Sequence, residues 1–253
     1  MLSKFLAAKH SEIKRLIQQE VDGTLPKPYE GTRPSFSAAL TQDGLGCIAE
    51  YKRASPSRGD IAPHLSPEDV AEQYAKAGAT ALSVLTEEKY FKGNLEFIER
   101  MQPAGLPMLR KDFIVHPLQV VETASTPASA QLLIARMFNS TAELAELIEL
   151  GHSYGLESVV EIFNHADLVS ARLAKATIIQ VNNRNLDTLE TDLAICERMI
   201  PHRRTAEVWI AASGISSPAQ RRNVENAGYD AMLVGTALME GGDPQKALNR
   251  LLE

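Results

Sequence analysis

The chain has no run of about 18 apolar residues, so nothing in its 253 residues reads as a membrane-spanning helix. Its first twenty residues, MLSKFLAAKHSEIKRLIQQE, lack the long apolar stretch of a secretory signal, and the expected location is cytoplasmic. Cysteine is scarce. Cys47 and Cys196 each sit in an apolar run with no CxxC partner, which excludes a disulfide framework and fits buried thiols in a reducing compartment. There is no HExxH, no P-loop and no cysteine cluster, so no metal is expected. Positive charge is not in excess: the formal net charge is −6 and the pI about 5.6. That balance argues against a nucleic-acid binder but leaves room for a local basic pocket.

What is present is a recurring strand-then-helix rhythm. Short β-rich runs occur at Cys47–Lys52, Ala79–Leu85, Pro107–Lys111 and Ala130–Ala135, and again at Ser158–Ile162, Thr177–Asn182, Glu207–Ala212 and Ala231–Gly235. Most are continuously apolar rather than alternating, as strands buried on both faces must be. They recur roughly every 20 to 33 residues, the size of a βα unit. Helix signals fall between them. Ser66-Pro67-Glu68-Asp69 supplies a cap, a first-turn proline and acidic residues, and Gly78 closes that helix. Asn139-Ser140-Thr141 opens another, and Ser217-Pro218 and Asp243-Pro244 repeat the cap-then-proline device. Eight such units in a chain of this length, with 44% hydrophobic and 23% charged residues, predict an α/β fold: one (β/α)8 TIM barrel. The competing open, doubly wound sheet calls for a Gly-rich loop after the first strand, which is missing. Residues 1–45 read as a helical extension packed on the barrel: an amphipathic helix carrying Phe5, Leu6, Ile13, Leu16 and Ile17, then a connector with Pro26, Pro28 and Pro34. The whole of 1–253 is expected to be a single domain.

Polar residues concentrate where such a barrel places its active site, at the C-terminal ends of the strands. The first strand ends Glu50-Tyr51-Lys52, and alternation turns Glu50 and Lys52 to the same side. They read either as a structural ion pair or as part of a site. Lys111 closes an apolar strand next to Phe113, and Glu161 follows Val159-Val160, where a carboxylate is out of place unless it has work to do. Asn182-Asn183, taken alone, reads equally well as a turn. Ser213-Gly214 and Gly235-Thr236 follow the last two strands, where this fold recurrently binds phosphate through backbone N–H groups. A lysine beside an acid and a glutamate in an apolar mouth can together run proton transfers.

At these residues the chain resembles the indole-3-glycerol phosphate synthase family. The resemblance runs from about Phe36 to Met239 and includes IAEYKRASPSRGDI, ALSVLTEEKYFKG, LRKDFIV, VVEIFN, VNNRNLDTLETDL, ASGI and AMLVGTALM, in order and each on its strand. It implies a cofactor-free carboxy-lyase of tryptophan biosynthesis that closes an indole ring on 1-(2-carboxyphenylamino)-1-deoxyribulose 5-phosphate, losing carbon dioxide and water. It also implies roles. Lys111 is the general acid at the substrate carbonyl, Glu161 acts in dehydration, Lys52 pairs with anionic groups and Glu50 orients the lysines. Asn182, Arg184 and Ser55 hold the sugar and carboxylate region. Phe113, Leu186 and Leu233 wall the aromatic ring. Ser213, Gly214, Gly235 and Thr236 take the phosphate. The expected partner is a small phosphorylated substrate, with no nucleic acid and no membrane, and the chain is expected as a monomer or weak homo-oligomer.

Two positions depart from the family pattern. The family usually carries glutamate immediately before Ser-Gly-Ile, where this chain has Ala212. Ser125–Ser129 replaces a turn usually rich in Ala and Gly, at the face away from the chemistry. Ala212 motivates an alternative, a non-catalytic or weakly active barrel that binds a phosphorylated ligand. Against it stand Glu50, Lys52, Lys111, Glu161 and Asn182, since a pure binder needs no acid and base together. A related sugar-phosphate isomerase would need a reactive cysteine, and Cys47 sits too early in its strand.

Overall fold

The computed structural model describes residues 2–185 and 188–253. Among them, eight parallel strands close into a barrel. The strands are β1 (Gly46–Tyr51), β4 (Ala81–Leu85), β5 (Met108–Lys111), β6 (Ala130–Ile134), β7 (Glu157–Ile162), β8 (Ile178–Asn182), β9 (Val208–Ala212) and β10 (Ala231–Val234), with β2 (Ala54–Ser55) and β3 (Gly59–Asp60) forming a small hairpin after β1. β1 pairs with β10 on one side and β4 on the other, which closes the ring. All eight runs expected from the sequence are strands, with ends shifted by at most two residues; Lys52 and Gly235 fall just beyond theirs.

Two separate apolar cores explain why the strands lack alternation. Ile48, Ala81, Leu109, Leu132, Val159, Ile178, Ile210 and Leu233 fill the barrel interior. The residues between them, among them Cys47, Leu82, Val160, Ile179, Trp209 and Met232, face outward and pack under the helices. Each strand is thus buried on both faces. Caps start the helices as the sequence predicts. The Ser66, Ser140 and Ser217 hydroxyls and the Asp243 carboxylate accept backbone N–H bonds at the starts of the helices Pro67–Lys76, Thr141–Ser153, Pro218–Ala227 and Pro244–Leu252.

The N-terminal helix α1 (Leu2–Val21) differs in detail from its apolar pattern. Its buried stripe runs Phe5, Lys9, Leu16, with Glu12 half-buried in line, whereas Ile17 is exposed. A step of about 100° per residue separates Ile17 from Leu16, so only one of them faces the barrel. The connector after α1 crosses the N-terminal end of the barrel, where Arg33 donates to the carbonyls of Ala124, Thr126 and Ala128. That grip holds the unusual Ser125–Ser129 segment at the end away from the site.

Candidate active site

The mouth of the barrel is built from alternate residues of the strands, so what each strand shows there follows from register. Glu50 on β1 is 3% exposed. Its carboxylate lies 3.3 Å from Lys111 Nζ and 3.4 Å from Lys52 Nζ, and accepts a hydrogen bond of 3.2 Å from the Ser83 hydroxyl on β4. Burial pushes the Glu50 pKa up, but Lys111 and then Lys52 outweigh it and hold the group below the ordinary carboxylate range. Lys111 is governed by the mirror-image balance. Burial would lower its pKa, yet Glu50 and Glu161 raise it above the usual lysine value. Lys52 goes the other way: burial dominates, Glu50 offsets it only in part, and the neighbouring Lys111 charge adds to the lowering. The structure therefore separates two lysines that share one carboxylate.

Room for that carboxylate comes from Gly235. A Cβ at this position would collide with Glu50 Oε1, so the glycine is needed for the close approach of the buried carboxylate.

Glu161 lies across the mouth on β7, 2% exposed. It accepts a hydrogen bond of 2.5 Å from the Gln180 side-chain amide on the adjacent strand, where the two residues are register partners. Asn182, two residues further on β8, lines the same cavity and its carbonyl oxygen accepts the Arg184 backbone N–H at 2.9 Å. The two asparagines divide their work. Asn183 is fully buried and pins the loop, donating to the Ser213 carbonyl and accepting the Cys196 N–H.

The cavity has two lobes. One, of about 110 Å³, lies between Glu50, Lys111 and Glu161 and apolar walls from Phe5, Phe91, Phe113, Leu132 and Ile134. Phe5 from α1 stacks on Phe113 with ring centroids 4.3 Å apart. Ser55 also lines this lobe. The second lobe, of about 270 Å³, is polar and reaches Lys52, Arg58, Arg184, Ser213, Gly214, Gly235 and Thr236. Ser213 and Gly214 both have positive φ, 71° and 82°, which turns the chain sharply after β9. Burial, and then the neighbouring Arg58 charge, lowers the Arg184 pKa, so this lobe gathers cations that an anion would relieve. Leu233 and Ala212 are neighbours across β9 and β10 and lie on the polar lobe rather than the aromatic one. Leu186 lies outside the described residues.

Two residues that shape the site are not evident from the sequence. Phe5 is 108 residues from its stacking partner Phe113, and Gln180 lies in the interior of a strand that is otherwise apolar up to its last residue, Asn182. Alternation from Asn182 would have turned Gln180 inward, which is the one local signal available. Cys47 is on the outward core, away from the mouth, and burial drives its thiol up to about 12. Cys196 is likewise buried and raised to about 11. Neither thiol suits nucleophilic work. Among the described residues no group of three His, Cys, Asp or Glu side chains could hold a metal, and no helix is long and apolar enough to cross a membrane.

Fold and mouth together define a (β/α)8-barrel enzyme in which an acid–base cluster joins an aromatic lobe to an anion-receptive one. The family follows from comparison: a model of indole-3-glycerol phosphate synthase matches residues 2–251, and the chain belongs to that family. It is 38% identical to the indole-3-glycerol phosphate synthase of Carboxydothermus hydrogenoformans over 95% of this chain and 90% of that one. Against the enzyme of the same name from Shouchella clausii it is 40% identical, covering 98% and 96%. Solved structures at low identity share the fold. The 3-hexulose-6-phosphate synthase of Salmonella typhimurium superposes with a TM-score of 0.64 at 13% identity, over 82% of this chain and 96% of that one. The N-acetylmannosamine-6-phosphate 2-epimerase of Clostridium perfringens does so at 0.62 and 14%, over 88% and 98%.

Proposed function

We propose that the chain converts 1-(2-carboxyphenylamino)-1-deoxyribulose 5-phosphate into indole-3-glycerol phosphate, with loss of carbon dioxide and water. The observation that carries this reading is Lys111 held by Glu50 at the junction of the two lobes, with Glu161 close enough to bias its charge. The carboxyphenyl ring fits the aromatic lobe. The phosphate fits the loops at Ser213-Gly214 and Gly235-Thr236, with Arg184 and Lys52 beside them.

In that pose Lys111 donates a proton to the ketone oxygen as the ring carbon bearing the carboxylate attacks the carbonyl carbon. The new carbon–carbon bond breaks the ring's aromaticity, and loss of carbon dioxide returns the electron pair and restores it. Water then leaves: the hydroxyl departs with a proton from an ammonium group, and Glu161 removes a proton from the adjacent ring carbon, whose electron pair becomes the double bond of the already closed five-membered ring. The raised pKa of Lys111 keeps it protonated before attack. The lowered pKa of Lys52 suits it to exchanging a proton once substrate is bound. Glu50 holds both ammonium groups at fixed distance and so acts as an orienting base of the cluster, not as a nucleophile. Asn182 and Ser55 contribute polar contacts near the sugar.

Ala212 alters the lining beside Asn182 but leaves this acid–base set whole, so the binding-only alternative gains no support from the cavity. The test is turnover of the carboxyphenylamino-deoxyribulose phosphate followed by indole fluorescence. Lys111→Ala and Glu161→Gln should each lower kcat by about 10²–10⁴. Substrate binding without turnover in the parent protein would overturn the reading.

A further inference from the structure

Gln180 has an unusual bonding state for so buried a group. It is fully buried inside the barrel. Its amide NH2 donates to Glu161 Oε2 at 2.5 Å, while its carbonyl oxygen, also buried, has no hydrogen-bond partner. An unpaired buried acceptor is costly; Gln131 on β6 carries one too, but its amide NH2 bonds the Leu147 carbonyl and the Ser158 hydroxyl, whereas that of Gln180 bonds a carboxylate lining the mouth. The unpaired end makes sense if the amide must serve two states of its neighbour.

We propose that Gln180 is a positioning residue for Glu161 that supports it in both protonation states. This rests on the proton-transfer role of Glu161 given above. A carboxylate only accepts hydrogen bonds, whereas a carboxylic acid also donates one. The Gln180 amide matches the carboxylate through its NH2 group. When Glu161 takes the proton from the substrate carbon, that carbon's electron pair goes into the ring double bond and the proton stays on the carboxyl. A half-turn of the amide then presents the Gln180 carbonyl oxygen to the new O–H. Passing the proton on to water reverses the turn. The carboxyl group thus keeps one fixed partner and one fixed orientation through the cycle, with no charge added to a site already crowded with Glu50, Lys52 and Lys111.

The test is Gln180→Met, which keeps the length and shape of the side chain and removes both hydrogen-bonding ends. Loss of one hydrogen bond to a charged group predicts a fall in kcat of about 10- to 100-fold, with KM within about twofold because the residue touches Glu161 rather than substrate. In the Glu161→Gln background the same change should have almost no further effect, since its action runs through Glu161. The thermal midpoint should hold or rise. Should the Met variant fail to fold, Gln180→Asn keeps the amide but stops one methylene short, and is expected to show the same kcat loss. The proposal is overturned if kcat stays within about twofold of the parent, or if the loss recurs undiminished in the Glu161→Gln background, which would mark Gln180 as merely structural. Full activity in Glu161→Gln alone would instead refute the role given to Glu161.

Discussion

Replacing Lys9 should destabilise the chain far more than replacing any exposed lysine of the same helix. Lys9 on α1 is only 3% exposed, and its Nζ lies 2.5 Å from Asp112 Oδ1 and 2.7 Å from Glu12 Oε2. Asp112 directly follows Lys111, so this contact ties the N-terminal helix to the strand that carries Lys111. Arg110, on the other side of Lys111, is also buried and reaches Asp112, Glu122 and Glu12 at 3.4, 3.0 and 3.6 Å. Breaking a buried pair by removing one partner costs about 3–5 kcal/mol. In Lys9→Met the Asp112 carboxylate keeps Arg110, the Thr86 hydroxyl at 2.6 Å and the Phe113 N–H at 2.8 Å. The expected loss is therefore toward the lower side, about 2–3 kcal/mol. For a chain of this size that lowers the thermal midpoint by about 5–10 °C. Trp209, the sole tryptophan and fully buried, reports unfolding through its emission. Lys14→Met on the exposed side of α1 is the control, expected within about 0.5 kcal/mol of the parent. Equal effects from the two variants would refute the claim that the buried ion network fastens α1 to the site.

Two further outcomes follow from the site and its surroundings. Ala212→Glu places a carboxylate on the polar lobe beside Asn182 and near the lysines; kcat/KM should rise about 10- to 100-fold, the worth of one such contact, and an unchanged value would show that this chain has compensated for the alanine. Acid should unfold the protein through Glu50 and Asp112. Burial pushes both carboxyls up, but the lysines around Glu50, and Lys9 and Arg110 around Asp112, hold both below their ordinary values. A depressed carboxylate stabilises the fold above about pH 4, and that stability is lost as the pH falls through the lower folded value. The urea midpoint should therefore drop below about pH 4, and Asp112→Asn should flatten the slope; a midpoint independent of pH down to about 3 would contradict this.

How much of this is written in the chain depends on how local the cause is. The strands are legible because a strand buried on both faces has to be apolar throughout, and the helix starts because a cap and a proline act within four residues. The strand-end residues Glu50, Lys111, Glu161 and Asn182 could be picked out because a polar group at the end of an apolar run is itself the signal. Lys9 and Gln180 were not legible. Lys9 falls within the apolar stripe of α1, at helical spacing from Phe5 and Leu16, but a lysine there has no local reason to be buried, and its partner Asp112 is over a hundred residues away. Gln180 lies inside a strand that reads as apolar core, and only the neighbouring strand reveals what it touches. The expectation that Ile17 packs inward failed because it lies about 100° around α1 from Leu16, at the edge of a stripe that runs through Phe5, Lys9 and Leu16. Placement of Leu233 on the polar lobe likewise depends on how β10 is rotated in the closed barrel, which no local pattern encodes.

The most direct measurement is single-turnover conversion of the carboxyphenylamino-deoxyribulose phosphate by the parent protein and by Lys111→Ala, reading indole fluorescence and released carbon dioxide together. The parent should release one carbon dioxide for each indole formed, and the variant should still bind the substrate while both signals fall by about 10²-fold or more. Equal turnover in the two proteins, or a parent that binds the compound and forms no indole, would contradict the assignment of Lys111 as the acid of a ring-closing site.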